Sequence, residues 1–177
     1  MKNTPITALI SILLLLVSKE VVACSCGLSK LSEKQKWEIE HSECIFIGEV
    51  FEIDKRNQTF KVKVSESLDG GDISNNIYVG KNWEYCSPYI DKKGKWLVYG
   101  STENGFLRPN LCGISRSFDY PIILSSPPPF AELNEKPKSE IADKKDYQKR
   151  RAKIIEKGLV VLHAEIDILR KLRDKKK

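Results

Sequence analysis

The 177-residue chain is short of the groups on which most enzymes depend. It has two histidines, His41 and His163, far apart and in different predicted elements, so a histidine metal site or catalytic pair has no parts. Ser25, Ser87 and Ser115 have no histidine and aspartate arranged to activate them, which argues against a serine hydrolase. The five cysteines lack the paired knuckles of a structural zinc site. There is no internal repeat, and no segment beyond residue 23 is apolar enough to span a bilayer. An enzyme is therefore the least favoured class, and no cofactor is expected. The body of the chain also lacks excess positive charge. Residues 24–140 hold 15 Lys or Arg against 17 Asp or Glu, a net of −2. That argues against a nucleic-acid-binding face. The overall charge of +6 comes from residues 141–177, with 13 basic and 6 acidic side chains.

What is present begins with an export signal. Met1 and Lys2 are followed by an apolar run from Ile6 to Val17, the length of a signal-peptide core, and Val21 and Ala23 suit a small-residue cleavage site. Cleavage before Cys24 would deliver the chain to a periplasmic or extracellular space where disulfides persist. Val21-Val22-Ala23-Cys24 also resembles a lipobox. The alternative is thus a membrane-anchored lipoprotein with Cys24 acylated, although the polar Ser18-Lys19-Glu20 favours plain cleavage. The chain divides into a signal peptide (1–23), a folded domain (24–120), a Pro-rich linker (121–140) containing Ser125-Ser126-Pro127-Pro128-Pro129, and a basic helical tail (141–177).

Residues 31–42 read as a helix, with Leu31, Gln35 or Trp37, and Ile39 near helical spacing. Strands are expected at 45–53, with a bulge or sharp bend at Gly48, and at 60–64, where apolar and basic residues alternate strictly. A turn at 67–72 leads to a short strand at 73–79. Residues 96–99 read as a buried strand, and Asn104-Gly105 is a hairpin signal before a strand opening with Phe106-Leu107. The fold class is mainly β: a five-stranded, OB-like closed barrel with a flanking helix, plus a C-terminal basic helix. The tryptophans Trp37, Trp83 and Trp96 read as core, with Trp83 partly exposed, and the acidic residues of 33–54 as solvated faces. In the tail, expected as a helix over 142–173, Ile155, Leu159, Leu162, Ile166 and Leu169 form a heptad seam, interrupted by Gly158. It could build an oligomer, pack on the barrel, or hold an anionic surface. Packing or weak self-association is preferred, and the closing lysines read as disordered.

Cys24 and Cys26 are two apart in an extended segment, so both side chains can face the barrel. Spacing does not fix their partners. Pairing each with a distant cysteine would close loops of about 60 and 85 residues, worth roughly 4 kcal/mol apiece in the chain-entropy model. Cys44 adjoins an apolar strand and reads as a buried free thiol; if Cys24 were lipidated, Cys44 would become a candidate partner for Cys86.

Cys24-Ser25-Cys26, Ile45-Phe46-Ile47-Gly48-Glu49-Val50, Trp83-Glu84-Tyr85-Cys86-Ser87-Pro88, Lys95-Trp96-Leu97-Val98-Tyr99-Gly100, Asn104-Gly105-Phe106-Leu107 and Cys112 together resemble the N-terminal domain of the tissue inhibitors of metalloproteinases, part of the wider netrin-like module. The similarity runs over about residues 24–118. It implies an OB-like barrel with disulfides Cys24–Cys86 and Cys26–Cys112. It further implies that the amine and carbonyl of Cys24 bind the zinc of a target metallopeptidase, with Ser25 in the neighbouring pocket. Cys26 and Gly27 would continue the wedge, and Glu84, Ser87 and Pro88 would form an adjoining ridge. Where those inhibitors have a disulfide-rich second domain, this chain has its basic helix. The alternative function is a non-inhibitory netrin-like interaction module at the cell envelope.

Overall fold

The structure, a computed structural model, describes residues 26, 27, 29–84, 86–123 and 140–176. The expected signal peptide, Pro127-Pro128-Pro129 of the linker, and both Cys24 and Ser25 lie outside the described residues. Helix α1 is Leu31–His41, and strands β1 to β6 are Cys44–Asp54, Thr59–Ser67, Ile77–Lys81, Gly94–Glu103, Phe106–Pro109 and Arg116–Ser117; helix α2 is Glu140–Lys175. The strands run in the order β1-β2-β3-β5-β4, and β1 pairs back with β4, so the barrel closes. The β3–β5 pairing is parallel and the others are antiparallel. This is the expected five-stranded, OB-like barrel, with one addition: β6, a two-residue strand on β4 that carries no hydrophobic signal.

Two-sided burial explains why β1 and β4 read as near-continuous apolar runs. Cys44, Phe46, Val50, Trp96 and Val98 point into the barrel with Phe60, Val62, Val64 and Leu107. Ile45, Ile47, Leu97 and Tyr99 point outward and are covered by Leu162, Ile166 and Leu169 of α2. The outer face of β2 has no such cover, so Lys61 and Lys63 alternate with buried Phe60, Val62 and Val64. Gly48 marks a register shift between β1 and β2; a Cβ there would lie 2.6 Å from Val62 Cγ2. Asn104 and Gly105 both have positive φ, 52° and 80°, as a tight hairpin turn requires.

Four expectations change. The strand placed at 73–79 begins only at Ile77; Asn75 takes φ 70° in the preceding turn and Ile73 is exposed. Trp37 is not core: it is 47% exposed and stacks flat on His41, with centroids 4.5 Å apart. The closing lysines do not fray directly after Arg173, because α2 continues through Lys175. The reason is local. Arg170 reaches Glu66 through two bonds of 2.8 and 2.7 Å, and Arg173 reaches Glu66 (3.1 Å) and the Ser67 carbonyl (2.7 Å), anchoring the last turns to the end of β2. Those hydrogen bonds, Arg170's foremost, hold the Glu66 carboxyl below its usual range. Finally, the acidic residues of 33–54 are not uniformly solvated, since Glu38 is 1% exposed.

The heptad seam of α2 packs on the barrel, with Leu162, Ile166 and Leu169 buried and Ile155 and Leu159 partly so. Gly158, costly by helix propensity, sits against the chain leaving the barrel: a Cβ there would be 3.0 Å from Pro121 Cγ and 3.2 Å from its carbonyl oxygen. Among the described residues, no helix is long and apolar enough to cross a membrane.

Candidate functional site

The site is built from two loops at one rim of the barrel. The first, residues 110–114, carries Cys112, whose φ is 58°. A disulfide joins Cys112 to Cys26 across 86 residues of sequence, with a Cα–Cα distance of 5.4 Å. Asn110 accounts for much of the loop's shape. Its backbone N–H donates to the Tyr99 carbonyl (3.1 Å), and its carbonyl accepts from Gly113 (2.9 Å). Its side-chain amide donates to Glu38 Oε2 (2.6 Å) and Ser42 Oγ (2.8 Å).

Glu38 is the hub. Its second oxygen accepts the Ile114 N–H at 2.9 Å, and Ser42 Oγ donates to the first at 3.0 Å. A buried carboxylate is tolerated only with such partners. Gly113 makes room for it, since a Cβ at 113 would stand 2.3 Å from Glu38 Oε1. Burial pushes the Glu38 carboxyl above its usual range, and the hydrogen bonds from Asn110, Ile114 and Ser42 only partly oppose this.

A pH dependence follows. A carboxyl whose value is raised by folding binds its proton more tightly in the native state. Its contribution to stability therefore increases as pH falls from the raised value toward the ordinary value of about 4.3. Comparing thermal unfolding of the native chain and Glu38→Gln at neutral pH and at pH near 5 should show the native chain gaining relative to the variant on acidification. A constant difference between the two would contradict this.

The second loop, residues 82–90, is closed by Asn82. Its side-chain amide donates to the Ile90 carbonyl (3.0 Å) while its oxygen accepts the Ile90 N–H (2.8 Å). Trp83 Nε1 donates to the Pro109 carbonyl at 2.6 Å, and the Arg108 guanidinium lies over the indole at 4.8 Å. Trp83 is thus partly buried, as expected beside a ridge. The Ser87–Pro88 peptide is cis. The two loops are tied together where the Cys112 N–H donates to the Ser87 carbonyl at 2.8 Å.

Of the residues the resemblance implicates, the structure brings Cys26, Cys112, Ser87 and Pro88 into one region. Cys26, Gly27, Glu84 and Ser87 are exposed; Pro88 is buried. Cys86 is itself disulfide-bonded, and its expected partner Cys24 lies outside the described residues. The conditional Cys44–Cys86 pairing is not formed: Cys44 is a buried free thiol whose Sγ lies 3.4 Å from the Gly100 carbonyl. Burial pushes its thiol far up, out of the reactive range. Two clefts flank the Cys26–Cys112 bridge. One of about 400 Å³ is lined by Gly27, Lys34, Trp37 and Leu111; the other, about 420 Å³, by Ser87, Pro88, Tyr89, Trp96 and Tyr120.

Glu38, Asn82 and Asn110, which shape this rim, carry no motif. Glu38 alone had a signal, because it shares a helical face with Leu31, Gln35 and Ile39. Among known proteins, no family model and no curated protein matches the chain.

Proposed function

We propose that the protein is a secreted binding protein, not an enzyme, that inhibits zinc metalloendopeptidases through the amine and carbonyl of Cys24. The supporting observation is the Cys26–Cys112 bridge. It fastens the exposed segment directly after Cys24 and Ser25 to a loop held by Glu38 and Asn110, beside the exposed Ser87. A segment fixed in this way has little conformational freedom left to lose on binding, which favours affinity.

The chemistry is straightforward. A catalytic zinc has three protein ligands and an open position held by water. An α-amine with an ordinary value near 7.7–8.0 is partly unprotonated at neutral pH and can take that position with its own carbonyl. Displacing the water removes the nucleophile. Cys26 and Gly27 would then enter the target's cleft, flanked by Glu84, Ser87 and Pro88.

The test is chemical. Mass analysis of the exported product should find a free cysteine amine at residue 24. One alanine added before Cys24 should abolish inhibition across a metallopeptidase panel and leave the melting temperature unchanged. Equal inhibition by native and extended forms would contradict terminal chelation. Acyl groups on Cys24 would replace this reading with that of a netrin-like module anchored at the envelope.

A further inference from the structure

Helix α2 carries two apolar rows, and the fold uses only one of them. Leu162, Ile166 and Leu169 are buried against the barrel. A second row, Tyr147, Ile154, Val161 and Ile168, recurs every seven residues, and these side chains are 65%, 52%, 41% and 53% exposed. On a straight helix such a repeat drifts by only about 20° per heptad, so the four form one slightly inclined line. Three residues further along in sequence, hence beside it, runs a parallel line of Arg150, Lys157, Ala164 and Lys171, all exposed.

Among the side chains described from residue 146 onward, no carboxylate of α2 pairs with Lys157 or Lys171. Glu165 is buried, and Asp167 and Asp174 are paired with Arg170 and Arg173. Glu156 lies on the far flank by helical phase. Asp146 answers Arg150 alone, at 2.7 Å. Every residue from 146 to 154 is exposed, with Arg151 reaching the body by its guanidinium, 5.8 Å from the Tyr120 ring.

We propose that this face of α2 rests on an anionic lipid surface, with the apolar line at the boundary between headgroups and acyl chains and the basic line against lipid phosphates. The reasoning is complementarity. A bilayer surface satisfies both lines at once, acyl chain against one and phosphate against the other. A second copy of the chain does not. In a self-paired coil the apolar line would occupy one core position and Arg150, Lys157 and Lys171 the other, placing cations in the seam. The inference is independent of the inhibitor reading, because it uses no residue of the rim.

Flotation of the full mature chain with vesicles tests it. Vesicles of equal parts phosphatidylcholine and phosphatidylglycerol should carry the protein at low salt, and phosphatidylcholine alone should not. Binding should weaken as salt shortens the screening length. Reversing the basic line (R150E/K157E/K171E) should weaken binding by about a hundredfold or more. Replacing the apolar line (I154S/V161S/I168S) should weaken it by about tenfold or more. Both variants alter exposed side chains, so circular dichroism should show native melting. Equal binding to neutral vesicles would overturn the proposal. So would loss of binding on charge reversal but not on apolar replacement, which marks adsorption by charge alone with no seated apolar line, or a dimer through this face with no vesicle binding.

Discussion

Replacing Glu165 by alanine should lower the unfolding free energy by about 3–5 kcal/mol. Glu165 lies on α2 but is 3% exposed, enclosed between the helix and the barrel. Arg116 of β6 donates to both its oxygens, at 2.8 and 3.3 Å, and also to the Ile114 carbonyl at 2.9 Å. Tyr99 of β4 and Gln35 of α1 donate to the same carboxylate. Four elements of the fold thus meet on one anion. Burial, and next the Glu165 charge, push the Tyr99 phenol far up, so it stays a donor at any ordinary pH. Removing the carboxylate leaves the Arg116 cation buried without its counter-charge. That desolvation, and not the bare Coulomb energy of the pair, is the larger cost. Chemical denaturation at neutral pH is the measurement. The pair R116M/E165M should recover more than half of the loss, because neither partner is then left as an unpaired buried charge. A double variant as unstable as the single one would show that the network matters for its hydrogen-bond geometry and not for its charge.

Removing the bridge by C26S/C112S should cost roughly 4 kcal/mol in the chain-entropy model. The bond closes a span of 86 residues, nearly the whole barrel, and so restricts the unfolded chain heavily. Its second effect is on the rim. Cys112 keeps its N–H bond to Ser87, and Glu38 and Asn110 still hold the loop from below. The exposed Cys26 segment, however, loses its covalent attachment. If the segment serves as the zinc-directed wedge, inhibition should fall even at temperatures where the variant remains folded, since the freed segment must be ordered on binding. Denaturant unfolding and an inhibition assay on the same sample separate the two effects. A variant as stable as the native chain would overturn the first; a less stable variant of unchanged potency would overturn the second.

Much of this structure was legible beforehand, and particular residues show why. Phe60, Lys61, Val62, Lys63 and Val64 alternate because one face of β2 meets the core and the other meets water. Gly48, Gly70-Gly71 and Asn104-Gly105 mark places where the backbone must bend or take positive φ. The heptad seam revealed that α2 buries one face. In each case the signal is local, because it arises from the period of the chain or from the torsion preferences of one residue.

The tertiary structure alone decided what those faces meet. The same seam suits a second helix or a barrel wall; here Ile45, Ile47, Leu97 and Tyr99 of β1 and β4 cover it. Glu38 shares a helical face with Leu31 and Ile39, yet composition assigns it, like Glu165, to water. They are buried because Asn110, Ile114, Arg116 and Tyr99, brought from 49 to 76 residues away for the nearest and farthest of these contacts, supply donors in a space closed to solvent. Periodicity determines which side of an element is apolar; only the packing of distant segments determines where a charge can be left without water.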